Sequence, residues 1–161
     1  MDRFLQNGQL QIIDITKYFA SMENAAKAPK NINHVIDDIL GYITKSGATR
    51  LAIDPIAPLI FAETDQMQVV EYIRKLIFTL EDNSNCTTLL TSYVPVGSDK
   101  VSCIGIEEFA ASGIIVLRLM RTNNKRVRTI GVRKMRGTQI DLTEYSFEIL
   151  PDRGLILRQP I

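Results

Sequence analysis

Histidine, cysteine and long apolar runs are scarce in this sequence, and each shortage excludes a class of protein. The 161 residues include one histidine, His34, and two cysteines, Cys86 and Cys103. A single histidine argues against a histidine-based zinc site and a histidine-dependent catalytic triad, so we expect His34 to decorate a helix start. The cysteines lie in apolar, strand-like sequence without the spacing of a metal site, which favours free thiols in a reducing compartment.

No apolar run is long enough to cross a bilayer, and the first residues contain no apolar core of a secretory signal. We therefore expect a cytoplasmic protein without a membrane partner. Apolar residues make up 45% and charged residues 23% of the chain, which is typical of a globular protein. The length suits a single domain over residues 1–161 that buries a core of its own.

Acidic residues are absent from one stretch, although the net charge of the whole chain is only +1. Between Arg118 and Arg136 there are eight basic residues and no acidic one. The eight are Arg118, Arg121, Lys125, Arg126, Arg128, Arg133, Lys134 and Arg136. Such a block predicts a polyanionic partner, and the composition leaves open whether this is nucleotide phosphate, nucleic acid or an acidic protein surface.

Strand and helix patterns alternate through the first part of the chain. Apolar periodicity predicts a strand at residues 9–15, an amphipathic helix at 32–43 and a strand at 50–56. A second amphipathic helix at 65–82 and a strand at 86–92 follow. This alternation is typical of an α/β fold with a parallel sheet. The continuous apolar character of the last two strands predicts that they are buried on both faces.

The last third of the chain has strand patterns but no long helix. A helical turn at residues 105–111 precedes two strands, at 114–120 and 126–135, that read as an antiparallel hairpin. Two shorter strands are predicted at 145–149 and 155–157. We expect these antiparallel strands to extend the parallel sheet.

One of the apolar strands ends in a carboxylate, Asp54. The carboxyl ends of parallel strands form the edge at which open α/β sheets bind ligands. The pattern is that of a Walker B strand, whose aspartate holds Mg²⁺ or its water ligands beside nucleotide phosphates. Any buried strand that ends in aspartate gives the same pattern, so a purely structural Asp54 is the alternative.

A pair of cations lies on the second strand of the predicted hairpin. Lys134 and Arg136 are two residues apart, so in an extended chain they share a face and can converge on one anion, while Met135 points the other way. Gly137 then lets the backbone turn close to a ligand, and Thr138 adds a hydroxyl. The alternative interpretation is a solvated basic edge strand, which protects a sheet from aggregation.

Several of these segments, taken in order, resemble one protein family. The similar segments are 105–109 (Gly-Ile-Glu-Glu-Phe), 113–118, 126–128 and 134–138 (Lys-Met-Arg-Gly-Thr), with 50–54 as the Walker B strand. They resemble the C-terminal half of a KaiC-type ATPase domain, of the RecA-like family that includes the cyanobacterial circadian clock ATPase. The resemblance covers about residues 4–158. It implies a RecA-like three-layer α/β fold whose parallel sheet is extended by antiparallel C-terminal strands and whose N-terminal P-loop unit is missing.

The resemblance also implies a site at a subunit boundary. In this family ATP and Mg²⁺ bind between adjacent subunits of a hexameric ring, and a lysine and an arginine reach the nucleotide from the neighbouring subunit. Lys134 and Arg136 match these trans-acting cations, and Asp54 matches the Walker B aspartate, which serves Mg²⁺ indirectly. Further positions that match nucleotide-binding residues of the family are Met135, Thr138 and Asp152.

The sequence departs from the family in the parts that hydrolyse ATP. It contains no G-x-x-x-x-G-K-[ST] motif, and the catalytic glutamate pair of the family falls before residue 1. Pro55 stands where serine usually follows the Walker B aspartate, Ile140 where histidine is common, and Tyr93 where an acid is common. Glu107 and Glu108 match a later turn, where we expect a packing or interface role. The chain therefore carries no complete catalytic set, and we do not expect it to hydrolyse ATP alone.

Four interpretations stay open. The first is an ATPase-family subunit whose cations act on ATP held by a P-loop-bearing KaiC-like partner. The second is a non-enzymatic oligomerisation or signalling module derived from such a domain. Nucleic-acid binding is disfavoured, since the basic stretch has no aromatic residue to stack on bases. The fourth is a truncated product. Because loss of the P-loop strand exposes apolar faces, we also predict a homo-oligomer.

Overall fold

The computed structural model describes residues 2–14, 32–57, 65–94, 101–102, 105–122 and 125–161. The chain divides into two compact units, Met1–Asn31 and Ile32–Ile161. The predicted loop at residues 95–100 and Cys103 lie outside the described residues. No helix in the described ranges is long and apolar enough to cross a membrane.

The described part of the first unit is a short helix followed by an irregular segment. Helix α1 covers Asp2–Gln6, and the chain then turns at Gly8, where φ is +74°. The amide of Leu10 donates to the Phe4 carbonyl at 2.9 Å. The strand predicted at residues 9–15 is wrong for residues 9–14, which form no strand, and Ile15 lies outside the described part. A strand needs a neighbour for its amides, and the Leu10 amide is bonded back to the helix instead.

Two amphipathic helices lie where the periodicity predicts them. Helix α2 covers Ile32–Ser46 and ends before Gly47, which adopts a left-handed φ of +64°. Exposed His34 lies in its first turn, as expected. Helix α3 covers Gln66–Asn83, and its N-cap Asp65 accepts a hydrogen bond from the amide of Met67 at 2.9 Å. This bond satisfies one of the amides that a helix start leaves without a partner.

The parallel strands form a pair. Strand β1, Arg50–Ile53, runs parallel to β2, Thr87–Leu90, with Arg50 opposite Thr87 and Ile53 opposite Leu90. Parallel strands separated by a helix confirm the predicted α/β class. The prediction that both faces of these strands are buried is wrong, because Ala52 and Leu89 are exposed. A two-stranded sheet in the described chain has too few neighbours to cover both faces.

The antiparallel strands form a four-stranded sheet in the order β3-β4-β5-β6, preceded by the short helix α4. Helix α4 covers Ile106–Ala110, β3 Gly113–Thr122, β4 Lys125–Met135, β5 Tyr145–Leu150 and β6 Gly154–Pro160. Asn123 and Asn124, where we predicted the hairpin turn, lie outside the described residues. In the described chain this sheet is separate from the β1–β2 pair, whereas we expected one continuous sheet.

The connection from β4 to β5 is fixed by hydrogen bonds to one carboxylate. Asp141 accepts from the amide of Thr143 at 2.9 Å and from the hydroxyl of Tyr145 at 2.8 Å. The bonds from Thr143, together with that from Tyr145, lower the pKa of Asp141, and the bond to Asp141 raises the pKa of Tyr145. These contacts set where β5 begins.

Most of the described core lies in the α/β part. The eleven buried apolar side chains are Val35, Ile36, Ile53, Ile56, Ala57, Ile73, Leu76, Leu80, Ala110, Val116 and Phe147. Eight of them belong to α2, α3, β1 and the residues that follow β1. The antiparallel sheet contributes only Val116 and Phe147, so this sheet keeps much of its apolar surface outside the core.

Candidate functional site

The carboxyl ends of the two parallel strands meet at Asp54. The hydroxyl of Thr91, just beyond β2, donates to Asp54 Oδ1 at 2.5 Å. Backbone bonds lock the same corner: Thr91 N donates to Ile53 O at 3.0 Å and Ile56 N to Thr91 O at 2.9 Å. Asp54 therefore lies at the sheet edge predicted for it, held in place by the neighbouring strand.

Asp54 suits a metal only in company with other ligands. Within the described ranges, no group of three or more His, Cys, Asp or Glu side chains is placed to hold a metal ion. Mg²⁺ usually keeps several waters and is bound by one or two carboxylates together with substrate phosphates. An exposed single carboxylate at a strand end fits that role, with the remaining ligands coming from phosphate and water.

A polar link connects the end of β2 to helix α4. The hydroxyl of Ser92 donates to Glu107 Oε1 at 3.1 Å, and the amide of Gly105 donates to Glu107 Oε2 at 2.9 Å. The adjacent Glu108 accepts from Ser102 Oγ at 3.0 Å. Both carboxylates lie in the first turn of α4, where the positive end of the helix dipole stabilises negative charge. Both carboxylates thus hold the start of α4, and the packing or interface role expected for Glu107 and Glu108 stays a prediction.

Lys134 and Arg136 converge on the other end of α4. Lys134 Nζ donates to the Glu108 carbonyl at 2.8 Å and to the Phe109 carbonyl at 3.3 Å. An Arg136 Nη donates to the same Phe109 carbonyl at 2.9 Å. The two cations therefore meet at one oxygen atom, at the negative end of the helix dipole. The structure brings together the pair that the sequence placed on one strand face.

The backbone turns sharply directly after Lys134 and Arg136. Arg136 N donates to Ser112 O at 2.8 Å, and Gly137 follows with φ of +69°. Met135 points away from the cations and covers Gly113, where an added Cβ would lie 2.8 Å from the Met135 sulfur. Exposed Thr138 lies directly after the turn, and its amide donates to the Met135 carbonyl at 3.3 Å.

Asp152 is not brought to the pair within this chain. It lies in the turn between β5 and β6, with φ of +61°. The β4–β5 register joins Ile130 to Tyr145, so β5 runs from there away from Lys134. At about 3.3 Å per residue the two ends of the sheet are far apart. Asp152 therefore meets Lys134 and Arg136 only if another subunit contributes one side of the site.

Sequence reasoning missed the links between these parts. The hydroxyls of Thr91 and Ser92 were visible as the end of a strand, but their partners Asp54 and Glu107 are 37 and 15 residues away. The carbonyls that hold the cations are backbone atoms and leave no signature in a sequence. Together these hydrogen bonds connect Ser92, through α4, to Lys134 and Arg136. Ser92 directly follows Thr91, whose hydroxyl binds Asp54.

Comparison with known proteins decides the family. The family model described as "ATPase: KaiC" matches residues 1–160. The chain belongs to the KaiC family. It is 30% identical to the circadian clock oscillator protein KaiC of Parathermosynechococcus lividus over 155 residues, which is 94% of this chain and 28% of that protein. It is 29% identical to a UPF0273 protein of Methanocaldococcus jannaschii, over 95% of this chain and 66% of that protein.

A solved structure supports the same assignment. The KaiC-like protein PH0186 from Pyrococcus horikoshii superposes with a TM-score of 0.78 and 29% sequence identity, over 98% of this chain and 64% of that one. The likeness confirms the RecA-like α/β fold and the predicted family. The chain spans 28% of the clock protein from P. lividus and 23% of the clock protein KaiC3 from Synechocystis.

The Glu107 link of this KaiC-like domain predicts a local change in stability. Replacing Glu107 by alanine removes two of the bonds that hold the start of α4, so the helix should open more often. We expect the Ala111 amide, which closes α4 by donating to Glu107 O at 2.9 Å, to exchange about tenfold faster. Amides of the β3–β4 hairpin should keep their rates, as measured by hydrogen exchange with mass spectrometry.

The matched control is Glu148→Ala, which removes an exposed carboxylate that pairs with Arg158 on the same sheet. It should leave exchange in α4 unchanged. Equal exchange of α4 in Glu107→Ala and in the unmodified protein would show that the Ser92–Glu107 link does not hold the helix.

Proposed function

We propose that this KaiC-like domain binds ATP at a subunit interface, where Lys134 and Arg136 reach the terminal phosphate of a nucleotide held by a neighbouring subunit. The observation that carries the proposal is the convergence of both side chains on one oxygen, the Phe109 carbonyl. Two cations placed within hydrogen-bond distance of one acceptor form a geometry that also fits one phosphate oxygen. Arg136 is exposed and Lys134 is half-buried at the end of β4, a position that suits contact with another subunit.

The chemical role of the pair is electrostatic. Phosphoryl transfer places negative charge on the oxygens of the transferred group, and positioned cations stabilise that charge. Asp54 is the residue of this chain that would hold Mg²⁺, and the ion would supply further positive charge beside the phosphates. The cradle for the β-phosphate comes from a P-loop-bearing KaiC-like partner, because this sequence has no such motif. The chain alone is therefore a contributor of charge and does not hydrolyse ATP by itself.

Helix α4 holds the side chains of Lys134 and Arg136 in position when no nucleotide is bound. A peptide carbonyl carries a partial charge, whereas a phosphate oxygen carries a full one, so an arriving phosphate is the stronger acceptor. Holding Lys134 and Arg136 on the helix end reduces the side-chain entropy lost when the phosphate arrives. The side chain of Phe109, which is 77% exposed beside the pair, belongs to the surface that the neighbouring subunit would cover.

A non-enzymatic oligomerisation module is the second candidate, and one observation favours it. Large apolar side chains on β3, β5 and β6 are exposed on the antiparallel sheet. They include Ile115, Leu117, Ile149 and Leu155, each at least 45% exposed. An exposed apolar face of this kind marks an assembly surface, so we propose a homo-oligomer in either case.

One experiment separates the two candidates. The tagged chain is isolated from its own cells with Mg-ATP present, and the assembly it forms is analysed by native mass spectrometry. We expect an oligomer that retains ATP and releases it when Lys134 and Arg136 are both replaced by alanine. An oligomer that never holds nucleotide, or that holds it equally in the double variant, would overturn the interface site and leave the oligomerisation module. A free monomer would contradict both.

A further inference from the structure

The antiparallel sheet splits into two arms. In the described chain β4 and β5 pair at two positions, Thr129 with Ser146 and Ile130 with Tyr145. Beyond them β4 continues as a strand back to Lys125, paired with β3, and β5 continues to Leu150, paired with β6. Along this length the backbone edge of β4 and that of β5 face each other without pairing. Unpaired edges are templates for another strand.

An open cleft lies where the arms diverge. Its volume is about 880 Å³, and its lining includes both arms. The apolar lining residues are Leu119, Val127, Phe147 and Leu157, and the charged ones are Arg126, Arg128, Glu148 and Arg158. A floor of apolar side chains with backbone edges on both sides matches an extended chain better than a compact small molecule.

The lining of the cleft carries a net positive charge. Arg158 is neutralised by Glu148, whose Oε2 accepts from two guanidinium nitrogens at 2.7 and 3.1 Å. Arg126 and Arg128 are exposed and form no ion pair among the described residues. An acidic ligand would therefore meet two exposed cations, Arg126 and Arg128.

We propose that the cleft between the β3–β4 and β5–β6 arms binds an acidic, extended peptide segment of a partner protein, which adds a strand to the free edge of β4. The acidic side chains of the added strand would lie on the sheet face that carries Arg126 and Arg128, and the apolar side chains between them would lie on the face of Val127. Four residues of edge accommodate about 13 Å of extended chain. The inference does not depend on nucleotide binding at Lys134 and Arg136.

A peptide fits these observations better than nucleic acid. Single-stranded nucleic acids bind through exposed aromatic rings that stack on bases. The aromatic residue in the cleft, Phe147, is buried, with 8% of its surface exposed. Unpaired backbone edges, by contrast, are recognised by another peptide backbone.

The test measures fluorescence anisotropy of a labelled peptide of alternating glutamate and valine, added to the full chain. A peptide of alternating lysine and valine and a single-stranded oligothymidylate are measured in parallel. We expect the acidic peptide to bind tightest, and the Arg126→Gln, Arg128→Gln double variant to bind it about tenfold more weakly. The matched control, Lys45→Gln with Arg153→Gln, loses the same charge outside the cleft and should bind as the unmodified chain does.

A second comparison tests the backbone pairing without changing the protein. Two versions of the acidic peptide, here called phases, are made. One is N-methylated at its odd-numbered amides and the other at its even-numbered amides. Since successive amides of a strand point to opposite sides, the phase whose methyl groups face β4 should abolish binding, whereas the other phase keeps the pairing with β4 and should bind more tightly. Equal binding of both phases, equal binding of the acidic and basic peptides, or tighter binding of the oligothymidylate would each overturn the proposal.

Discussion

Replacing Lys134 and Arg136 together by alanine should lower the affinity of the assembly for Mg-ATP by about a hundredfold. A hydrogen bond to a charged group contributes about 1.5–3 kcal/mol, so two such bonds to one phosphate account for a loss of about a hundredfold as the lower limit. If the pair meets the terminal phosphate, the loss falls on ATP and spares ADP. Isothermal titration of the isolated assembly with each nucleotide measures both affinities.

Three controls make this result specific. The Lys45→Ala, Arg74→Ala variant removes two exposed cations elsewhere on the chain and should bind ATP normally. Exchanging the two residues, Lys134→Arg with Arg136→Lys, keeps the charge but alters the geometry, so binding should fall only part of the way. Circular dichroism checks that the double alanine variant is folded. An equal loss for ATP and ADP would place the pair away from the terminal phosphate.

The prediction of this pair from sequence rested on strand periodicity. Residues two apart in a strand share a face, and the structure directs Lys134 and Arg136 to one carbonyl. The acceptor, a backbone oxygen of Phe109, was beyond sequence reasoning because every residue has one. The same limit hid the Ser92–Glu107 link, since it joins a strand end to a helix start through the loop between them.

The sequence predicted where helices and strands lie better than it predicted which strands and residues lie beside one another. Helix α3 begins and ends within one residue of its predicted bounds, since its stripe of apolar residues is local information. The burial of β1 and β2 was overestimated because an apolar strand does not reveal how many strands lie beside it. Asp152 was grouped with Lys134 and Arg136 by resemblance alone, and the β4–β5 register separates them in this chain.

The second large effect concerns folding. Ile73→Ala should destabilise the domain by about 2–5 kcal/mol, the range for truncating a buried isoleucine to alanine. Ile73 is completely buried in α3, in the cluster that holds eight of the eleven buried apolar side chains of the described chain. A typical domain is stable by about 5–15 kcal/mol, so the loss is a large share of the total. Urea unfolding followed by circular dichroism measures it.

Met67→Ala is the matched control, because Met67 lies on the same helix with 76% of its surface exposed. Its free energy of unfolding should change by no more than about 0.5 kcal/mol. Similar unfolding midpoints for the two variants would mean that α3 does not form the core of the folding unit. A loss confined to Ile73→Ala would show that the few side chains around α3 stabilise the whole domain. The apolar face of the antiparallel sheet, which lies outside that cluster, would then be free to serve assembly.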